Sequence, residues 1–514
     1  MGASTEPGRR SPRSETDRGG AGRLPNLVRG PVGHFAERSL VGLLVIVGAG
    51  VGFGLLLTLV HAEWGPLRRA DIAVADWFNQ LVSPYPVLVE TLKVVTDLGA
   101  TAVLAGLVGI AAVALLIRRQ PRLAVYLIIT GIGGLILNPT LKAAVGRLRP
   151  VVEDPVATVP GNSFPSGHSL GSFVAFGAIL LVFLPAMQRG WRKAAIWITA
   201  VLVAVIGFTR VALSVHYVSD VLGAWLLGTA WLTISAYAFR LWRRERGQRP
   251  TRPLAEGLEP EAGQEIAPAP AEERVFPHPR SKVAELVVGW VLVFGTLYGF
   301  GLFVIQHAKG TFLETIDRVP QELAEERTRD WTSVSWWWSE FGNTGAIIII
   351  GLVACVLLLA VWRRWRPVLF VALAMAGEIT LFLATAKAVG RQRPPVEQLD
   401  GALPTSSFPS GHIAATLCVW TAIAIVVVPR SGRWWRWAFL TLAVVMPLGV
   451  TISRLYRGMH HPTDALGSFL LCALWIGLAY WVVRPNADLR EGNRPSFTAD
   501  QVDELDDELA RAGR

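Results

Sequence analysis

The sequence has 514 residues, 52% of them hydrophobic and only 17% charged, with a formal net charge of +10. A soluble chain of this size needs more charge than that to cover its surface, so a soluble domain is excluded as the overall class. The excess charge is mostly Arg in short loops between apolar runs, a topology signal rather than a nucleic-acid surface, and no nucleic-acid partner is expected. Cys355, Cys418 and Cys472 all lie inside apolar runs, lack metal-type spacing and read as small core residues.

Residues 1–38 are polar and rich in Arg, Gly, Pro and Ser, a composition that predicts a disordered tail. The run 40–60 is too long and too late for a cleaved leader and reads as a retained spanning helix. Spans near 99–117, 123–146, 169–187, 195–215 and 220–239 complete a first set of six, domain 39–246. Residues 247–281 are rich in Pro, Glu and Ala and predict an exposed linker. Spans near 284–306, 344–362, 368–390, 413–429, 437–456 and 465–483 form a second set, domain 282–484. The polar tail 485–514 contains an acidic stretch from Asp503 to Glu508. The expected fold class is therefore an all-α integral membrane protein with about twelve transmembrane helices in two six-helix bundles.

The two sets are an internal repeat. Gly146-Arg147-Leu148-Arg149-Pro150 matches Gly390-Arg391-Gln392-Arg393-Pro394, an offset of 244 residues that also takes His168 to His412, Arg210 to Arg454, His216 to His460 and Asp220 to Asp464. No gap interrupts the match, although loops tolerate insertions readily, so the lengths of these loops are under geometric constraint.

Basic loops set the orientation. Arg118, Arg119 and Arg122, then Arg189, Arg192 and Lys193, lie on one side of the first half; Arg363, Arg364 and Arg366, then Arg430, Arg433 and Arg436, repeat this in the second. That side should be cytoplasmic, with both termini on it. The repeated polar residues fall on the other side, among acidic connections that include Asp71, Asp76, Glu90 and Asp97. Topology does not call for Arg147, Arg149 or Arg210 there. The abundance of Arg over Lys points to a bacterial plasma membrane.

Three local patterns carry chemistry. Span three ends with Lys142, Arg147 and Arg149; of these Lys142 and Arg149 are seven residues apart and share a helical face, forming an anion clamp at the membrane surface. Ser166 and Gly167 sit where a helix begins, and free N–H groups at a helix N-terminus suit phosphate. His216 precedes Asp220 by four residues, so the carboxylate can hold one ring nitrogen while the other stays free to attack or to accept a proton. The second copy supplies Ser410, Gly411, His412, Arg454, His460 and Asp464.

Taken together, these blocks resemble the type-2 phosphatidic acid phosphatase superfamily. The first half carries Lys142…Arg149-Pro150, Pro165-Ser166-Gly167-His168 and Thr209-Arg210…His216…Asp220, with Thr209 where the family pattern has Ser. The second carries Arg393-Pro394, Pro409-Ser410-Gly411-His412 and Ser453-Arg454…His460…Asp464. The resemblance implies metal-independent dephosphorylation of a lipid phosphate or diphosphate, phosphatidate-type or polyprenyl, through a phosphohistidine at the outer membrane face, with no cofactor and a membrane lipid as substrate. It implies His216 as nucleophile, Asp220 as its orienting group and His168 as the acid, then base. Lys142, Arg149, Ser166, Gly167 and Arg210 would hold the phosphate oxygens. His412, His460, Asp464, Arg393, Ser410, Gly411 and Arg454 would play the same parts in the second half. There Ala386 stands at the lysine position and Lys387 comes one residue late, a rotation of about 100° on a helix, so Lys387 must reach back to serve. The second site is therefore expected to be the weaker.

Competing readings are a lipid phosphoryl transferase with a non-water acceptor and a twelve-helix transporter built from two repeats. Glu378, an intramembrane carboxylate that reads equally as a residue facing between the units or as a neutral, hydrogen-bonded Glu, is the main feature a transporter can claim. Trp336, Trp337 and Trp338 read as interfacial anchors.

Overall fold

The computed structural model describes residues 31–248, 251–267, 278–307, 310–401, 405–432 and 434–491. Among these the chain is helical, without strands. Twelve stretches of the described residues are long and apolar enough to cross a membrane. The long helices of the first half are α1 (Pro31–His61), α2 (Thr101–Ile117), α3 (Pro121–Val145), α4 (Gly167–Phe183), α5 (Arg189–Ala212) and α6 (Val218–Glu245). Those of the second half are α7 (Pro279–His307), α8 (Thr344–Trp362), α9 (Trp365–Val389), α10 (Gly411–Val427), α11 (Trp434–Tyr456) and α12 (Pro462–Val483). The predicted all-α membrane architecture is thus present, and α3 and α9 keep the 244-residue offset at both ends.

The same devices recur in each half. α3 and α9 both stop at a glycine in the left-handed region, Gly146 at φ 66° and Gly390 at φ 63°, a conformation that costs other residues about 1 kcal/mol or more. Gly133 of α3 and Gly377 of α9 let a tryptophan of α6 or α12 lie against the helix backbone. Trp231 Nε1 donates to Thr130 O at 2.9 Å, and Trp475 Nε1 donates to Leu373 O at 3.0 Å. Any Cβ at these glycines would meet the indole ring. Many large apolar side chains, such as Leu44, Leu55, Ile129, Ile136, Val287 and Ile349, remain exposed on the helices, the distribution expected when lipid is the solvent. The halves meet through equivalent helices, α2 against α8.

Several expectations need correction. The tail reading for 31–38 gives way to the start of α1, while residues 1–30 and the acidic stretch Asp503 to Glu508 lie outside the described residues. The described part of the linker, 251–267, is packed rather than exposed. Leu258 and Ala262 are buried in the first half's core, Arg243 pairs with Glu261 at 2.8 Å, and Arg363 Nε of the second half donates to Ala267 O at 2.8 Å. Scattered apolar residues among the Pro and Glu are enough to dock it. Glu378 faces Cys472 of α12 inside the second bundle, not the seam between halves. Between α1 and α2 lie two shorter helices, Gly65–Val82 and Pro86–Asp97. Arg329–Phe341, which carries the three consecutive tryptophans, precedes α8.

Candidate active site

Each half gathers its repeated residues at one end of its bundle, in the connection after α3 or α9 and the turn between α5 and α6 or α11 and α12. The motif loop is held the same way twice. Ser163 N donates to Arg147 O at 2.7 Å and Ser407 N to Arg391 O at 2.9 Å, and each loop has a cis peptide bond, before Pro165 and before Pro409. Ser166 and Ser410 are the residues immediately before α4 and α10, as expected of helix starts.

In the first half His216 is buried, and its Nδ1 lies 3.3 Å from Asp220 Oδ2. Asp220 also accepts from the Tyr217 amide at 2.9 Å and from the Ser163 hydroxyl. The other ring nitrogen, Nε2, is 3.2 Å from Nη1 of Arg149, which also donates to Val215 O at 2.8 Å. Lys142 Nζ donates to Asn162 O at 2.9 Å. Arg210 is buried; its Nη1 donates to Thr96 Oγ1 at 3.0 Å, and its Nε has no partner. Arg210, His216, Lys142 and Arg149 are the electrostatic neighbours of His168. The structure thus brings Lys142, Arg149, His168, Arg210, His216 and Asp220 together. A buried guanidinium with an idle N–H beside a histidine whose outward nitrogen faces a second guanidinium is equipped to receive an anion.

Arg147 lies in a different layer from Lys142 and Arg149. It donates to Asp220 Oδ1 at 2.6 Å and to Asp71 Oδ2 at 2.8 Å, behind the His216–Asp220 pair and turned away from the anion cluster. Asp71 also accepts from the Ser219 amide at 3.1 Å, capping the start of α6. The second half repeats this: Arg391 bridges Asp464 and Asp317, and the Thr463 amide donates to Asp317 at 3.1 Å. Asp71 and Asp317 were not foreseen as supporting residues. Their numbers differ by 246 rather than 244, so they drop out of a gapless alignment.

The second site departs from the first. His460 Nδ1 is 2.7 Å from Ser407 O and 3.7 Å from Asp464 Oδ2, so its carboxylate contact is looser. Arg393 Nη1 donates to Met459 O at 2.6 Å. Ala386 is buried where Lys142 sits in the first half, and Lys387 is exposed on the neighbouring face of α9. The helix runs without a bulge to Gly390, so nothing restores the register and Lys387 does not join the cluster. Arg454 Nη1 donates to Ser339 Oγ at 2.7 Å and also meets a carboxylate, Asp400, that has no counterpart in the first half.

Burial pulls the imidazoles of His216 and His460 down to about 4, outweighing the opposing pull of Asp220 and Asp464. Both are neutral at pH 7, the form that a nucleophile or base requires. An unfolded chain protonates His near 6.5, so between about pH 6.5 and 4 the unfolded state binds more protons and stability is lost as pH falls. The thermal unfolding midpoint should therefore drop from pH 7 to pH 5, and a His216→Asn, His460→Asn double variant should flatten that slope.

A cavity of about 500 Å³ opens beside the first site, between α2, α3 and α4. Leu104, Val108, Leu135 and Val174 line it, and it reaches Asn138 and Gly167 at the motif end.

A model described as the PAP2 superfamily matches residues 122–244 and 343–488. Phosphatidylglycerophosphatase B of Bacillus subtilis (strain 168) is 33% identical over 180 residues, covering 34% of this chain and 85% of that relative. Undecaprenyl-diphosphatase of Sulfolobus acidocaldarius is 29% identical over 132 residues, 24% of this chain and 58% of the relative. Lipid A 1-phosphatase of Rhizobium johnstonii is 33% identical over 123 residues, 22% of this chain and 47% of the relative. The crystal structure of a transmembrane PAP2 type phosphatidylglycerolphosphate phosphatase from Bacillus subtilis is 26% identical, with a TM-score of 0.35 over 40% of this chain and 98% of that one.

Proposed function

The chain belongs to the PAP2 superfamily, in both of its halves, and on that premise we propose that it hydrolyses the phosphate group of a membrane lipid through a phosphohistidine on His216. The observation that carries this reading is the His216 ring, with Asp220 on Nδ1 and Nε2 directed at Arg149. Nε2 attacks phosphorus, the bond from phosphorus to the lipid oxygen breaks, and His168 protonates the departing alkoxide. Water then attacks the phosphohistidine, gives its proton to His168, and inorganic phosphate leaves with the P–N bond broken. Lys142, Arg149 and Arg210, with the Ser166–Gly167 backbone at the start of α4, stabilise charge on the equatorial oxygens.

The apolar cavity supports a lipid as substrate, since a chain lying between α2, α3 and α4 would bring its phosphate end to Gly167. The basic loops at the opposite end of the bundles support placement of the sites at the outer face. The names of the relatives suggest glycerophospholipid phosphates, polyprenyl diphosphates and lipid A phosphates as the panel to assay.

Purified full-length protein in detergent containing EDTA should release phosphate from at least one of phosphatidate, phosphatidylglycerophosphate or a polyprenyl diphosphate. Labelled substrate quenched in alkali should leave label on the protein, stable in base and lost in acid, as a P–N bond requires. Absence of release across the panel would overturn the reading. Release without base-stable label would overturn the phosphohistidine.

A further inference from the structure

The second half carries an anion of its own where the first half leaves room for one. Asp400 lies in the connection between α9 and α10, at the position matching Val156. Its Oδ2 is 2.5 Å from Nη1 of Arg454, the counterpart of Arg210. Its Oδ1 takes Nε of Arg457 at 2.8 Å and Nη2 at 2.5 Å. Arg457 stands where the first half has the buried Leu213, and it braces the same turn by accepting from the Leu399 amide at 3.2 Å. Arg454 and Arg457 are both buried.

The comparison with the first half gives this contact its meaning. Arg210 meets a neutral hydroxyl, Thr96, through Nη1 and keeps Nε without a partner. Arg454 also keeps Nε and Nη2 without partners, but its Nη1 meets both the equivalent hydroxyl, Ser339, and a full carboxylate. A carboxylate and a phosphate oxygen compete for the same guanidinium edge, and two anions held side by side repel. Burial works to raise the Asp400 carboxyl, but Arg457 and Arg454 outweigh it and hold it below the usual carboxylate range, so it stays ionised at neutral pH. With Ala386 in place of the lysine, the second site has also lost a cation.

We infer that Asp400 is a specificity-determining residue of the second site: a built-in anion that occupies Arg454 and excludes phosphate groups, positioned by Arg457. This rests on the phosphate chemistry proposed above. It makes the two halves unequal, with the first taking phosphate and the second carrying a resident carboxylate whose charge opposes one.

Orthovanadate, a phosphate analogue, counts the open sites. Equilibrium dialysis of the full-length protein in detergent, at a free concentration tenfold above that which half-inhibits hydrolysis, should find one equivalent bound to wild type. Asp400→Asn, which keeps the volume and removes the charge, should bind two, and Asp400→Asn combined with Arg454→Ala should return to one. Arg457→Leu, which borrows the first half's own residue, should also raise occupancy above one and serves if Asp400→Asn does not fold. Two equivalents in wild type would overturn the inference while leaving the phosphate reading intact. A folded Asp400→Asn protein that still binds one would do the same. No binding by wild type would overturn both.

Discussion

His216→Ala is expected to reduce lipid phosphate hydrolysis by about 10⁴-fold or more, while His460→Ala lowers it less than twofold. The asymmetry follows from the geometry. His216 has Asp220 at 3.3 Å on one nitrogen and Arg149 at 3.2 Å from the other, and Lys142 and Arg210 are among the charges acting on the nearby His168. His460 has its carboxylate at 3.7 Å, Ala386 in place of the lysine and Asp400 on Arg454. Initial rates on one substrate, with the melting profile of each variant as a control, decide the matter. Equal losses would mean that the second half turns over substrate despite its resident carboxylate.

Asp71→Ala should be the most damaging change outside the anion cluster. Asp71 is buried, pairs with Arg147 and accepts from the Ser219 amide at the start of α6. Deleting one partner of a buried ion pair typically costs about 3–5 kcal/mol; the lower end applies because Asp220 still faces Arg147. The loss should appear as a lower unfolding temperature. Asp71 is also a positioning residue, because Arg147 braces the carboxylate that orients His216. In the surviving fraction kcat should therefore fall while KM stays near wild type, since the cations proposed to hold phosphate are untouched. Asp71→Asn, which can still accept from Ser219, should recover part of the stability and little of the kcat. A fall in KM-dependent binding with kcat preserved would contradict this assignment.

The sequence made the architecture and the residues of the candidate site legible because both rest on a repeat. Apolar runs of membrane length fix the helices, and one constant offset pairs His216 with His460 and Arg210 with Arg454. What it concealed was partnership at a distance. Asp71 reads as one more acidic loop residue until folding carries it to Arg147, 76 positions away. Thr96 and Ser339, which meet the buried arginines, sit on short helices whose spacing slips between the halves. Arg147 had no assigned partner in the sequence, because spacing along the chain does not report that Asp71 and Asp220 meet behind it. Asp400 and Arg457 could not be found by comparing the halves for likeness, because they occur in one half alone. The packed segment 251–267 was hidden by its composition, which resembles that of a spacer until Leu258 finds a pocket in the first half.

The contact of α2 with α8 joins the same helix of each half, which is how two identical subunits meet across a two-fold axis. Identical subunits share one gene, so any substitution in one site is made in both. Encoding the pair on a single chain removes that coupling. One copy can then carry Lys142, Val156 and Leu213 while the other carries Ala386, Asp400 and Arg457 at the matching positions, without loss of the neighbour it packs against. Tandem joining supplies this chain with the stoichiometry of a dimer and the mutational freedom of two separate proteins.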